Sequence, residues 1–207
     1  MADYSFYTNP MSRGQIARWA LHEAGADYEQ ILVDWAAKPA EFVAANPMAK
    51  VPTIVHHQGG HDRVVTEAAA ICHYLAELSA PALLPADDEK ADYFRYLFFS
   101  AGPVEQAVTA QAMGWQVPEG RSGMAGFGSY DRTIDTFESM LKGRDYVCGT
   151  RFTMADVYVG SQIDWGLSFK SIPSRPAFEA YAERLRMRDA YQAAKAIDMK
   201  LIEEMQT

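Results

Sequence analysis

The chain has little cysteine and lacks the segments that are typical of secretion or membrane insertion. Only two cysteines occur among its 207 residues. Neither belongs to a Cys-x-x-Cys pair or to a zinc-like cluster of cysteine and histidine. The N-terminus shows no basic stretch followed by an apolar one, and no run of about 18 apolar residues occurs. These absences exclude a disulfide scaffold and a membrane-spanning chain, and they favour a reducing compartment, with the cytoplasm as the expected location.

Positive charge is also scarce. The chain has 19 basic and 27 acidic residues, which gives a formal net charge of −8. We therefore expect neither nucleic acid nor an anionic membrane surface as a partner, although a local basic pocket for a small anion stays open. Hydrophobic residues make up 49% of the chain, as in ordinary globular proteins, and the length fits one compact domain or two small ones.

Strand and helix patterns alternate in the first part of the chain and give way to helices alone. Segments rich in β-branched and aromatic residues predict strands at 5–7, 28–33, 51–55 and 63–65. Helical spacing predicts helices at 12–25, 39–45 and 67–78, and then at 87–113, 130–141, 153–166, 176–186 and 189–204. The sequence thus predicts an α/β domain at 1–79, a linker at 80–86 and an all-α domain at 87–207.

Pro52 lies inside the third predicted strand, where it cannot donate a hydrogen bond to the ladder. An edge strand would explain it. A cis Val51–Pro52 bond would explain it as well, and would turn the Val51 backbone outward, where an extended peptide ligand could pair with it. The residues themselves leave both explanations open.

Two segments around this proline resemble the cytosolic glutathione S-transferase family. Residues 46–55, NPMAKVPTIV, are similar to the family's N-P-x-G-K-V-P segment, and residues 65–75, VTEAAAICHYL, are similar to its E-S-x-A-I-x-x-Y-L helix. The resemblance implies a thioredoxin-like N-terminal domain, an all-α C-terminal domain, a cis-proline at Pro52, and glutathione as co-substrate with no further cofactor and no metal. Ala49 replaces the usual glycine. Ala68 replaces the usual serine, so one hydroxyl for the γ-glutamyl carboxylate is missing.

The resemblance also implies a set of glutathione-binding residues, namely Lys50, Val51, Pro52, Glu67 and Ala68. Physical chemistry supports two of them separately. Glu67 and Ala68 open a helix, where free N–H groups favour a carboxylate and the Glu67 side chain can pair with an ammonium. The purely structural alternative is that Glu67 complements the helix dipole, which is worth ~0.3–1 kcal/mol.

The loop that follows the first predicted strand holds the candidate thiol activator. Ser12, with Gln15 three residues later, fits a capping box at the start of the next helix, which is the structural interpretation. By resemblance to the serine-type members, the Ser12 hydroxyl instead faces the glutathione sulfur, with Tyr7 as the alternative from the tyrosine-type members. The loop has no cysteine, which argues against the members that work through a mixed disulfide. A hydroxyl that donates to the sulfur would lower the pKa of the thiol from about 8.5.

The electrophile is expected in an apolar pocket built from this loop and from the aromatic start of the second domain. Its candidate residues are Met11, Phe98, Phe99, Met113 and Trp115. The resemblance further implies a homodimer, and two-fold dimers are the commonest oligomers. Two rivals to a transferase stay open: a glutathione-binding scaffold without turnover, and a specialised glutathione-dependent peroxidase, isomerase or dehalogenase.

Other conspicuous residues are expected to be structural. His56 and His57 are neighbours in a strand and point to opposite faces, so no metal site is expected there. Cys72 lies beside an apolar helical stripe and is expected to be an inert core thiol. Thr153 and Asp156 fit a capping box at the start of a buried helix.

Overall fold

A computed structural model of the chain describes residues 2–206 and forms two compact units. The first unit runs to Leu84 and resumes at Met187, and the second is Pro85–Arg186. The predicted end of the first domain at residue 79 lies close to the end of this first segment. The last helix, however, belongs to the first unit and not to the all-α domain predicted at 87–207. No helix within residues 2–206 is long and apolar enough to cross a membrane.

The first unit contains a four-stranded mixed sheet. The strands β1 (Tyr4–Thr8), β2 (Tyr28–Leu32), β3 (Thr53–Gln58) and β4 (His61–Thr66) lie in the order β2-β1-β3-β4. The β1–β2 pair is parallel and the other two pairs are antiparallel. The helices of this part are α1 (Gly14–Glu23), α2 (Ala40–Ala45) and α3 (Ala68–Ser79). The α/β first domain with a thioredoxin-like element order is thereby confirmed.

Side chains of β1 alternate between the two sides of the sheet, as the period of a strand requires. Phe6 faces α1, with the Arg18 guanidinium 5.3 Å from the centre of its ring. Tyr7 faces α2, and its ring centre lies 5.3 Å from that of Phe42. Tyr7 and Phe42 form a buried cluster with Val33 and Val55. Phe6 and Tyr7, which are neighbours in β1, are therefore buried on opposite faces of the sheet.

The C-terminal helix, α9 (Asp189–Met205), packs on α1 and so belongs to the first unit. Arg18 Nε donates to Asp198 Oδ1 at 2.8 Å, and both side chains are buried. At the end of α1, Arg188 Nε donates to Glu23 at 2.6 Å. Helical periodicity does not say which surface a helix covers, which is why the sequence groups this helix with the all-α domain.

The second unit is entirely helical, as predicted. It consists of α4 (Lys90–Phe99), α5 (Glu105–Ala112), α6 (Tyr130–Leu141), α7 (Met154–Ser168) and α8 (Pro176–Arg186). The continuous helix predicted at 87–113 is wrong in one respect, because a π-helical turn at Ser100–Val104 separates α4 from α5. Pro103 lies in this turn and has no N–H to donate, so the regular α-helical pattern is interrupted there.

Asp156 anchors the start of α7, and the predicted capping box is confirmed. Its Oδ1 accepts hydrogen bonds from the Val147 N–H at 2.8 Å and the Tyr181 hydroxyl at 2.7 Å. Its Oδ2 accepts from the N–H of Thr153 at 2.8 Å and from the hydroxyl of Thr153 at 3.0 Å. Burial raises the pKa of Asp156 to about 6, while these donors favour the charged form and limit the rise.

Candidate functional site

Strand register brings three segments of the first unit to one edge of the sheet. Thr53 at the start of β3 pairs with Tyr7 of β1 and with Thr66 of β4. One residue earlier in the chain, Pro52 therefore lies between the end of β1 and Glu67. The cis-proline segment, the loop after β1 and the start of α3 are thus neighbours, although more than 50 residues of chain separate the loop after β1 from the start of α3.

The Val51–Pro52 bond is cis. The edge-strand explanation of Pro52 is wrong, because β3 has a neighbour on each side and begins only after the proline. Within residues 2–206, neither the N–H nor the C=O of Val51 has a hydrogen-bond partner. This segment therefore presents a free backbone donor and acceptor of the kind that pairs with an extended peptide.

A buried amide that the sequence analysis missed holds the loop before the cis-proline. The side chain of Asn46 is 6% exposed, and its Nδ2 donates to the carbonyl of Lys50 at 2.9 Å and to Thr53 Oγ1 at 3.0 Å. Its Oδ1 accepts from the N–H of Met48 at 3.1 Å. The Asn-Pro pair that ends the second helix was visible in the sequence, but nothing there indicated that the amide points back into the loop.

Ala49 and Glu67 adopt backbone conformations that are uncommon for residues other than glycine. Their φ angles are +50° and +64°. At Ala49 this explains why the resembled family has glycine, since a Cβ in the left-handed region costs roughly 1–2 kcal/mol. Strained residues of this kind concentrate at functional sites. Both lie close to Pro52: Ala49 is in the loop before it, and Glu67 follows β4, the strand that pairs with β3.

The start of α3 is suited to an anion. Glu67 occupies the N-cap position, yet no side chain caps the helix, so the N–H groups of its first turn are free of side-chain partners. Ala68 is buried and Glu67 is exposed. Lys50 is also exposed, two residues before Pro52. A ligand carboxylate on the helix terminus and a ligand ammonium on Glu67 would both be satisfied here.

The loop between β1 and α1 is held by Asn9, a second residue that the sequence analysis missed. Asn9 is 2% exposed; its Nδ2 donates to the Val33 carbonyl at 3.1 Å and its Oδ1 accepts from the Met11 N–H at 2.9 Å. The Ser12 hydroxyl donates to the Asn9 carbonyl at 2.6 Å and accepts from the Gly14 N–H at 2.9 Å. Ser12 is therefore fixed in a local turn, with its proton directed at the backbone.

The capping box predicted for Ser12 and Gln15 is wrong. The helix begins at Gly14, its N-cap residue is Arg13, and no side chain caps it. The Gln15 side chain instead donates to the Pro10 carbonyl at 2.5 Å and accepts from Lys195 Nζ at 2.8 Å. Glycine is required where the helix begins, because a Cβ at position 14 would lie 2.1 Å from Oγ1 of Thr8. Ser12 thus lies in the loop, two residues before α1 begins.

Tyr7 lies in a different environment from Ser12. Its ring belongs to the buried cluster below α2, and Ala49 and Val51 pack against that cluster. Burial raises the pKa of Tyr7, so its hydroxyl stays protonated at neutral pH. Its clearest structural role is to support the loop that leads to the cis-proline.

The candidate electrophile residues differ in exposure. Met11, Phe98, Met113 and Trp115 are each more than half exposed. Phe99 is half-buried, and its ring centre lies 6.1 Å from that of Phe137, so it packs toward the core of the second unit. Met11 belongs to the first unit, whereas the other four candidates belong to the second.

Neither cysteine has a thiol pKa lowered by its surroundings. Both cysteines are free. Burial strongly raises the pKa of Cys72, and it raises that of Cys148 to about 11. No group of three or more histidine, cysteine, aspartate and glutamate residues in the described part of the chain is placed to hold a metal ion.

Comparison with known proteins identifies a family whose models match most of the chain. The N-terminal domain model of the glutathione S-transferase family matches residues 2–77, and the C-terminal domain model matches residues 122–189. Glutathione S-transferase 2 of Schizosaccharomyces pombe is 28% identical over 206 residues, which cover 88% of this chain and 83% of that protein.

Solved structures agree with the sequence comparisons. A glutathione transferase from Methylococcus capsulatus has 28% identity and a TM-score of 0.76, over 94% of this chain and 98% of the other. The theta class glutathione S-transferase from Xanthomonas axonopodis, solved with glutathione bound, has 28% identity and a TM-score of 0.74, over 94% and 97% of the two chains.

Proposed function

Because the chain belongs to the glutathione S-transferase family and has the glutathione S-transferase activity of that family, we propose that it turns the bound glutathione thiol into a thiolate that attacks a small, largely apolar electrophile. The observation that carries the proposal is the strand register. It gathers the cis-proline segment, the start of α3 and the Ser12 loop at one edge of the sheet. Relatives that are transferases favour turnover over the scaffold alternative.

Glutathione is an extended peptide with a charged group at each end, and the edge of the sheet offers a partner for each part. The free N–H and C=O of Val51, next to Pro52, pair with the backbone of its cysteinyl residue. The N–H of Ala68 binds the γ-glutamyl carboxylate, and the carboxylate of Glu67 binds the neighbouring ammonium. The exposed amine of Lys50 binds the glycyl carboxylate.

Ser12 is the proposed thiol activator. The thiolate is an anion, and Ser12 precedes α1, so the positive end of the helix dipole acts in the same direction as a hydrogen bond from the hydroxyl. The N–H of Ser12 has no partner among residues 2–206 and is a second donor for the sulfur. Tyr7 is the less suitable candidate, because its ring is packed within the cluster below α2.

The proposal also covers the residues that contact the electrophile, the oligomeric state and the cellular compartment. Phe98, Met113 and Trp115 of the second unit supply apolar contacts to the electrophile, whereas Phe99 is left out because it packs on Phe137. The protein is expected to act as a homodimer, and its two free thiols fit a reducing compartment such as the cytoplasm.

Replacement of Glu67 tests the glutathione site. Glu67→Ala leaves the ligand ammonium without its partner, so glutathione binding weakens by about 1.5–3 kcal/mol, or roughly 10- to 150-fold in Kd. Isothermal titration calorimetry measures this. Glu183→Gln, a change at an exposed carboxylate of α8, is the control and leaves Kd unchanged.

A change that adds a hydrogen-bond donor tests the same site at the start of α3. Ala68→Ser supplies a hydroxyl for the γ-glutamyl carboxylate and tightens binding. If Glu67→Ala binds glutathione as tightly as the unaltered protein, the site is not at the start of α3.

A further inference from the structure

The loop between α5 and α6, residues 113–129, forms a surface cavity in the second unit. Its volume is about 530 Å³, which is within the range of small-molecule sites. Apolar side chains make up most of its wall, namely Trp115, Val117, Pro118, Met124 and Phe127. A cavity of this size and lining suits an aromatic ring system.

One cation lies at this apolar wall. Arg121 lines the cavity, and its Nη1 donates to Met124 Sδ at 3.5 Å, which is a weak acceptor. In the described part of the chain, no carboxylate forms an ion pair with Arg121. Five arginines of the same unit form ion pairs with aspartate or glutamate, namely Arg144, Arg151, Arg175, Arg184 and Arg186, whereas Arg95 and Arg132 resemble Arg121 in forming none within the described residues but line no part of this cavity.

None of the residues that line this cavity is acidic. Glu105 and Asp131 line neighbouring hollows but not this one. Glu105 already accepts hydrogen bonds from the Tyr158 hydroxyl at 2.9 Å and from Gln162 Nε2 at 3.0 Å. In a chain with a net charge of −8, an uncompensated guanidinium on an apolar wall favours an anion locally.

We propose that Arg121 makes this cavity a site for aromatic ligands that carry a carboxylate or sulfonate, and that anionic aromatic electrophiles are therefore a preferred substrate class. The ring packs against Trp115 and its apolar neighbours, and the guanidinium binds the acidic group through charge-assisted hydrogen bonds. The binding site is argued from the cavity and Arg121 and does not depend on the proposed function. The statement about substrates rests on the proposed function, since Trp115 is one of the residues assigned to the electrophile.

A pair of fluorescent probes tests the site without glutathione. 8-Anilinonaphthalene-1-sulfonate carries an anion, and N-phenyl-1-naphthylamine is the matching ring system without it. Arg121→Gln raises the Kd of the sulfonate about tenfold, as expected for one charge-assisted contact that is partly exposed, and leaves that of the neutral probe unchanged. Trp115→Ala weakens both probes. Arg95→Gln alters the net charge equally at an exposed position of α4 and changes neither Kd.

A pair of electrophiles tests the substrate class. With 4-chloro-3-nitrobenzoate and its methyl ester, the thiolate forms a C–S bond at the chlorinated ring carbon, and chloride leaves with the electron pair of the C–Cl bond. Arg121→Gln lowers kcat/KM for the acid about tenfold relative to the ester, as one charge-assisted contact requires. An unchanged ratio would overturn the substrate class.

The outcomes separate the binding site from the proposed function. Equal loss of both probes in Arg121→Gln, or no loss of either, overturns the anion site. If the probes behave as expected but the unaltered protein conjugates neither electrophile, the anion site stands and the substrate class fails, while the proposed glutathione site is judged separately by the Glu67→Ala titration.

Discussion

The hydroxyl of Ser12 is tested most directly by its removal in Ser12→Ala. In the structure this hydroxyl donates to the Asn9 carbonyl at 2.6 Å and accepts from the Gly14 N–H at 2.9 Å. To stabilise a thiolate, its proton must turn from the carbonyl to the sulfur. The benefit to the thiol is therefore smaller than that of a hydroxyl with no other acceptor.

The magnitude follows from these two bonds. A hydrogen bond to a charged group is worth about 1.5–3 kcal/mol, and the bond to a neutral carbonyl that it replaces is worth about 0.5–1.5 kcal/mol. The difference is about 1 kcal/mol, or slightly less than one pKa unit. Ser12→Ala is thus expected to raise the pKa of bound glutathione by about one unit, and the N–H of Ser12 and the helix dipole supply the remaining depression.

The assay is the ultraviolet absorbance of bound thiolate as a function of pH, together with the pH profile of kcat/KM. In Ser12→Ala, activity at neutral pH falls several-fold and returns at higher pH, where glutathione ionises unaided. Ser12→Thr keeps the hydroxyl and restores the profile. Loss of the acceptor for the Gly14 N–H costs about 1 kcal/mol of stability, which thermal unfolding measures separately.

Tyr7→Phe is the matched comparison and is expected to shift the pKa much less. A larger shift in Tyr7→Phe than in Ser12→Ala would refute the assignment and make this a tyrosine-type enzyme. If neither variant shifts the pKa, backbone N–H groups activate the thiol without a side chain.

Four further predictions concern stability, reactivity and assembly. Ala49→Gly relieves the left-handed backbone and raises the free energy of unfolding by about 0.5–1 kcal/mol after the entropic cost of glycine, measured by urea denaturation; a loss of stability would contradict the strain at this residue. Asp156→Ala leaves four donors without their acceptor and lowers the same quantity by about 3–5 kcal/mol; a loss under 1 kcal/mol would show that the network is not structural. Iodoacetamide at neutral pH labels neither Cys72 nor Cys148 rapidly in the folded protein, since burial raises both pKa values, and labels both after denaturation, as mass spectrometry would show. Sedimentation at micromolar concentration gives twice the 23.0 kDa mass of one chain, and a monomer would refute the homodimer.

The sequence predicts the fold well because its signals are local. Apolar periodicity marks nearly all strands and helices, and the Asp156 capping box has a recognisable spacing. The two differences have physical causes: α9 packs on α1 through a buried ion pair between Arg18 and Asp198, and a π-helical turn accommodates Pro103, which has no N–H to donate. Neither the partner surface of a helix nor the way a chain absorbs an internal proline is encoded in hydrophobic spacing.

The candidate site is predicted only in part for a related reason. Pro52 and Glu67 were found because motifs carry them, and strand register then brings them together. Asn9 and Asn46, which hold the two loops, carry no motif. A buried amide can be identified only when the carbonyl and N–H groups that it satisfies are known, and those belong to residues up to 24 positions away in the chain.

In the proposed glutathione site, backbone groups act beside the side chains of Glu67 and Lys50. Ala68 stands where the resembled family has a serine, so the start of α3 offers N–H groups and no hydroxyl. The hydroxyl of Ser12 is already committed to the Asn9 carbonyl. Among residues 2–206, the N–H of Ser12 and both backbone groups of Val51 have no partner, and no side chain caps the first turn of α3. Because the buried amides of Asn9 and Asn46 hold the loops that carry Ser12 and Val51, we expect little ordering of those loops when a ligand binds.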